Sequence, residues 1–235
     1  MRPVILIAGN FVREQRWVVA AWVAMAFAFA GIIAGVKGKP NAEDVDLYFS
    51  QQALYGVGLG LFLAVSAIHS ERKSRRIVAV LSKSVRRSQY VAGLLLGIFG
   101  CCGAHCLSLA LARSWIAGRM ELPVGPVWVS TGLVLAAAVL AASVAMFWST
   151  FAHPLGAALG AGALLGAPLI AAQRLGEEWM QALPVYWLAS VAVAPGQSHG
   201  EVPWAILALA AAEVVAFWMT ASWIFSRRDV TAAIE

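Results

Sequence analysis

Charge is missing from long stretches of this chain. Residues 17–36, 47–70, 122–173 and 202–212 contain no Asp, Glu, Lys or Arg. A water-soluble core does not require apolar runs of this length. A helix crossing the hydrocarbon layer does, because about 20 residues at 1.5 Å each span it. Backbone groups in lipid must be paired within the protein, which leaves helices or closed barrels. The runs here are continuous rather than alternating, so they point to helices. Only 12% of the 235 residues are charged against 61% hydrophobic, far from the roughly one-quarter charged share of a soluble domain.

The reading is an all-α integral membrane protein, one transmembrane domain over residues 1–235. Six spans are expected, at about 17–36, 52–69, 91–111, 127–147, 154–172 and 203–225. Residues 1–16 precede them, with Val4, Ile5, Ala8, Phe11 and Val12 at near-helical spacing among Arg2, Arg13, Glu14 and Arg16. That pattern predicts an amphipathic helix at the membrane surface. Residues 173–202 hold an apolar stretch of only ten residues between Pro184 and Pro195, with Tyr186 and Trp187 suited to an interface. They predict an outer re-entrant or interfacial segment. Gly56, Gly58 and Gly60 in the second span, two of them on neighbouring helix positions, predict close helix packing or flexible points, and Gly156 with Gly160 predicts close packing.

The net charge of +5 does not indicate nucleic acid, because of where it sits. Seven of the seventeen basic residues lie between Arg72 and Arg87, beside two apolar spans. Six spans put both termini on one side with that loop, giving twelve Lys or Arg there and five on the other side. The bias predicts cytoplasmic termini. An anionic inner leaflet would attract the same loop, which makes membrane lipid an expected partner.

Within the basic segment, residues 71–90, a short apolar stretch from Ile77 to Leu81 stands between charged flanks. Glu71 opens the segment; Leu81-Ser82-Lys83, Arg86-Arg87, Tyr90 and Gly93 follow. With the surface helix, the six spans and the outer segment, this pattern resembles the membrane permease subunits of the ABC-2 class of ATP-binding-cassette transporters. The end of the last span, Ile224-Phe225-Ser226-Arg227-Arg228-Asp229, is similar to that class as well. The chain departs from it at Arg75-Arg76, where Gly-Thr is usual, at Ser84, where proline is usual, and at Leu94, where lysine is common. The resemblance implies a cytoplasmic coupling helix that docks on a nucleotide-binding subunit through Glu71, Arg75, Arg76, Ile77, Val80, Leu81, Arg86 and Arg87. It also implies a second permease subunit, identical or not, and a place in a bacterial inner membrane.

No Gly-x-x-x-x-Gly-Lys-Ser/Thr phosphate-binding loop occurs. The chain is therefore expected to be non-catalytic and to bind no cofactor, with ATP and Mg on a partner subunit. The implied function is the permease half of an ATP-driven exporter. The same composition fits a membrane anchor or assembly subunit of a larger complex without transport activity. A secondary transporter is a further option, although such proteins commonly need polar coupling groups at the midplane.

Two polar features stand inside apolar runs. Cys101, Cys102, His105 and Cys106 include two i,i+4 pairs, and thiolate and imidazole suit Cu(I) or Zn. Four such residues on one helix cannot all face one ion, so packing is the competing reading. Glu213 lies ten residues past Pro203 in the last span. Desolvating a carboxylate there is costly, so it is expected to face protein or a polar cavity, on a transport path, at a gate or in a structural hydrogen bond.

Overall fold

The computed structural model describes residues 2–36, 42–73, 85–121, 123–175 and 204–227. Among these residues the secondary structure is entirely helical. Seven helices follow one another: α1 (Arg2–Glu14), α2 (Arg16–Val36), α3 (Ala42–Lys73), α4 (Arg87–Arg119), α5 (Gly125–Ser149), α6 (Pro154–Leu175) and α7 (Trp204–Arg227). Five of them, α2, α3, α4, α5 and α7, are long and apolar enough to cross a membrane. The chain is thus a multi-span α-helical membrane protein.

Among the described residues, five of the six expected spans meet this measure of length and composition. The fifth expected span corresponds to α6, Pro154–Leu175, which carries no charged residue before Arg174. At 1.5 Å per residue its 22 residues cover roughly 33 Å, against a hydrocarbon core of roughly 30 Å. The outer segment beyond Leu175 and the loop residues 74–84 lie outside the described residues.

The core helix is α5. It packs against α3, α4, α6 and α7, and its buried positions, among them Leu133, Ala138, Leu140, Ala142 and Met146, run around the whole helix. A helix apolar on every face belongs in such a place. By contrast α2 and α7 turn large side chains outward, including Phe27, Ile32, Leu209, Met219 and Trp223. In a bilayer these meet acyl chains.

Glycine sets the closest approaches. A Cβ on Gly60 of α3 would stand 2.5 Å from the Ala138 carbonyl oxygen of α5, and one on Gly56 would stand 3.2 Å from the His105 ring of α4. Gly56 and Gly60 thus make close contacts, while Gly58 faces open space. In α6, Gly160 lies against the Trp148 indole, with 2.6 Å from a Cβ to the nearest ring atom.

The N-terminal helix adds a contact absent from the sequence reading. Gly93 of α4 meets Ile7 and the Val4 carbonyl, Gly97 meets Phe11 and the Ala8 carbonyl, and Gly100 meets Val12. Both numberings rise together, so α1 runs parallel to α4 in a groove of small residues. The helical hydrogen bonds continue through the joint with α2, from Gln15 N to the Phe11 carbonyl (3.0 Å) and from Val19 N to the Gln15 carbonyl (2.9 Å). Helices α1 and α2 thus form an almost unbroken rod along α4. The apolar stripe is only partly used: Ala8 and Phe11 are buried, while Ile5 and Leu6 are exposed.

Candidate functional site

Three helix ends meet at one pole of the bundle: the end of α3, the start of α4 and the end of α7. At the start of helix α4 the Arg86 amide donates to Gln89 Oε1 at 3.2 Å, a one-sided cap. One turn inside, Tyr90 is 1% exposed and its hydroxyl donates to the Glu71 carboxylate at 2.7 Å. This contact joins the two stems from which the 74–84 loop leaves. A hydrogen bond to a charged acceptor contributes about 1.5–3 kcal/mol when sheltered.

Arg87 reaches across to α7. Its Nη1 donates to the carbonyls of Phe225 and Ser226, each at 3.0 Å, and the guanidinium sits 6.0 Å from the Phe225 ring centre. Those carbonyls belong to the last turn of α7, where a cation also meets the negative end of the helix dipole. The Phe225 ring is fully buried and stacks on Tyr90 at 6.3 Å between centres. Trp218 Nε1 donates to the Ser88 carbonyl at 3.4 Å, one further tie between α7 and α4.

Of the residues assigned to coupling, the structure brings Glu71 and Arg87 into this cluster and leaves Arg86 exposed at its edge. Arg75, Arg76, Ile77, Val80 and Leu81 lie outside the described residues. Beside the cluster, a cleft of about 560 Å³ opens between Glu71, Tyr90 and the joint of α1 with α2, where Asn10, Arg13, Glu14 and Arg16 line it.

Glu213 stands on the middle of α7, half-buried, with Oε2 shielded and without a hydrogen-bond partner among the described residues. Neighbouring Ala210 and Val214 pack on Ala137 and Leu140 of α5. An apolar groove of about 430 Å³ runs between α5 and α7, but Glu213 does not line it. The carboxyl therefore faces protein at least in part, and its position does not connect it to this groove.

The cysteine and histidine set does not gather into one site. Cys101 and Cys102 belong to the main core, while Cys106 packs with Ala53 and Val134. His105 is fully buried, edge-on to Trp22 at 5.8 Å, and its Nε2 is 3.4 Å from the Gln52 carbonyl. All three thiols are free and buried. No three His, Cys, Asp or Glu among the described residues are placed to hold one metal ion.

Two arrangements were not legible in the sequence. Arg113 is 8% exposed; its Nη1 donates to Ser130 Oγ, and its guanidinium lies 3.6 Å from the centre of the Phe49 ring. The second is a pair of histidines. His69 near the end of α3 and His153 at the start of α6 stand edge to face, 5.3 Å between ring centres. Both are exposed. A separation of 84 positions gave no local signal for either pairing partner.

Comparison with known proteins adds no assignment: no family model matches the chain, and no curated protein matches it.

Proposed function

We propose that the chain is the membrane-spanning permease subunit of an ATP-driven exporter of the ABC-2 class, working as one of two permease halves with two nucleotide-binding subunits. The observation that carries this reading is the junction at the bundle pole. Tyr90 joins the stems of the 71–90 segment at Glu71, and Arg87 ties the same stem to the end of α7. These are the residues on which the resemblance rests, and they come from three separate parts of the chain. A short loop held on clamped stems can pass a displacement from a soluble partner into α3, α4 and α7 together. A loop on loose stems would absorb it.

In this reading ATP and Mg bind the partner, and the chain contributes a substrate route and a change of conformation. With six spans, α6 included, the excess of twelve basic residues over five supports cytoplasmic termini and an inward-facing loop. Glu213 is the proposed gating or path residue, being the carboxylate placed deepest in the last span.

The test is a purification in mild detergent with every stoichiometric partner identified, followed by reconstitution in vesicles. Recovery of an ATP-binding-cassette ATPase and ATP-dependent movement of a substrate support the proposal. Fixed stoichiometry in a complex without an ATPase replaces it with the anchor or assembly reading.

A further inference from the structure

The geometry points to His69 and His153 as a two-ligand site for a divalent transition-metal ion, binding Zn, Ni or Cu(II) through both imidazoles. The spacing is the first argument. A tetrahedral ion bound to two ring nitrogens at about 2.0–2.1 Å, with each nitrogen about 1.1 Å from its ring centre, holds those centres about 5.2 Å apart. The observed distance is 5.3 Å. The rings stand at 71° to one another, and binding requires each to turn about its side-chain torsions until a nitrogen faces the ion.

The second argument is the rigidity of both backbones. His69 follows Ala67 and Ile68, which are 1% exposed in the main core. His153 is held between Thr150, which is fully buried, and Ala157, whose amide donates to the His153 carbonyl at 2.8 Å. The two side chains are exposed while their main chains are fixed. Metal binding then costs little ordering entropy, because the ligands already share one place.

Imidazole is the right donor for these ions, and a site with two protein ligands keeps its other positions for water. Such a site exchanges its ion readily, unlike a closed structural one. Its consequence is mechanical. The ion joins the end of α3, two residues before Glu71, to the turn between α5 and α6. It would tie the same stem that Tyr90 clamps, from the opposite neighbour. This inference stands on the two rings and does not depend on the transport reading.

The experiment uses the full chain in detergent, with any polyhistidine tag removed. Cu(II) is added at one equivalent for electron paramagnetic resonance, and Zn is titrated in competition with a chelating dye. The wild type is expected to take one ion per chain at micromolar concentration, with two nitrogen ligands in the spectrum. His69→Ala and His153→Ala are each expected to weaken binding at least tenfold, while His199→Ala leaves it unchanged. Zn should raise the melting temperature of the wild type and of His199→Ala only. Binding that needs millimolar metal, that survives either of the first two substitutions, that shows a single nitrogen ligand, or that is lost in His199→Ala overturns the assignment.

Discussion

Replacing Gly97 with alanine tests the docking of α1 on α4. A Cβ at Gly97 would lie 2.9 Å from Phe11 Cδ1, 3.0 Å from Phe11 Cβ and 3.1 Å from the Ala8 carbonyl oxygen. Ordinary contact begins near 3.4 Å. The Phe11 ring alone could turn aside, but its Cβ and the Ala8 main chain cannot, so α1 must move away by about 0.5 Å. Overpacking of this kind costs about 1–3 kcal/mol. Against it stands the helix-propensity gain of alanine over glycine, about 0.8–1 kcal/mol. The net expectation is a loss of about 0.5–2 kcal/mol. Gly103 lies on the same helix and has no atom within 4 Å of its Cβ position. Gly103→Ala should therefore keep only the propensity gain and leave stability unchanged or raised. Thermal unfolding in detergent, followed by thiol labelling of the buried cysteines, measures both. Limited proteolysis near Gln15 reports release of α1 directly. If Gly97→Ala unfolds at the same temperature as Gly103→Ala and its joint is no more readily cut, the parallel packing of α1 on α4 is refuted.

Tyr90→Phe removes the hydroxyl that bonds Glu71 and keeps the ring on Phe225; it should cost about 1–2 kcal/mol of stability and reduce ATP-driven transport more than partner recovery. Transport equal to wild type at full yield would remove the clamp from the mechanism. Ile77→Asp with Leu81→Asp should leave insertion intact and weaken recovery of the ATPase partner; undiminished recovery and transport would end the coupling assignment of residues 71–90. Glu213→Gln keeps size and much of the hydrogen bonding, so a structural role predicts normal assembly and activity, with Glu213→Leu weakening the bundle. A gating role predicts assembly of the Gln variant without transport, and normal behaviour of both variants excludes either role.

The spans were legible because lipid imposes a simple rule on charge, and the rule acts along the chain. It placed α2, α5, α6 and α7 within a few residues of where they lie, but α3 begins ten residues before the expected start at 52 and α4 runs eight past the expected end at 111. Helix contacts are a different matter. Glycine packing on α3 could be read from the sequence, yet nothing local separates Gly56 and Gly60 from Gly58, which faces open space. Gly93, Gly97 and Gly100 carry the same kind of stripe, but its partner is a helix some eighty positions earlier. The clamp was half legible: Glu71, Arg87 and Tyr90 stand out by type, whereas their bonding to one another and to Phe225 depends on how three helix ends converge. The four Cys and His residues on α4 share one face of the helix, within about 140° of arc, yet meet different neighbours: the main core at Cys101 and Cys102, Trp22 and Gln52 at His105, and Ala53 and Val134 at Cys106.

The rod formed by α1 and α2 has a consequence for the lipid around it. Phe11 meets Gly97, ten residues into α4, so the joint at Gln15 lies more than about 15 Å along that helix. At this level α4 is apolar, yet Arg13, Glu14 and Arg16 are exposed on the rod. Acyl chains do not seal against such groups, and long arginine side chains draw water and phosphate toward themselves. The leaflet cannot lie flat against this flank. In a bilayer, headgroups and water are expected to be drawn down toward these charges, beside the cleft at Glu71 and Tyr90.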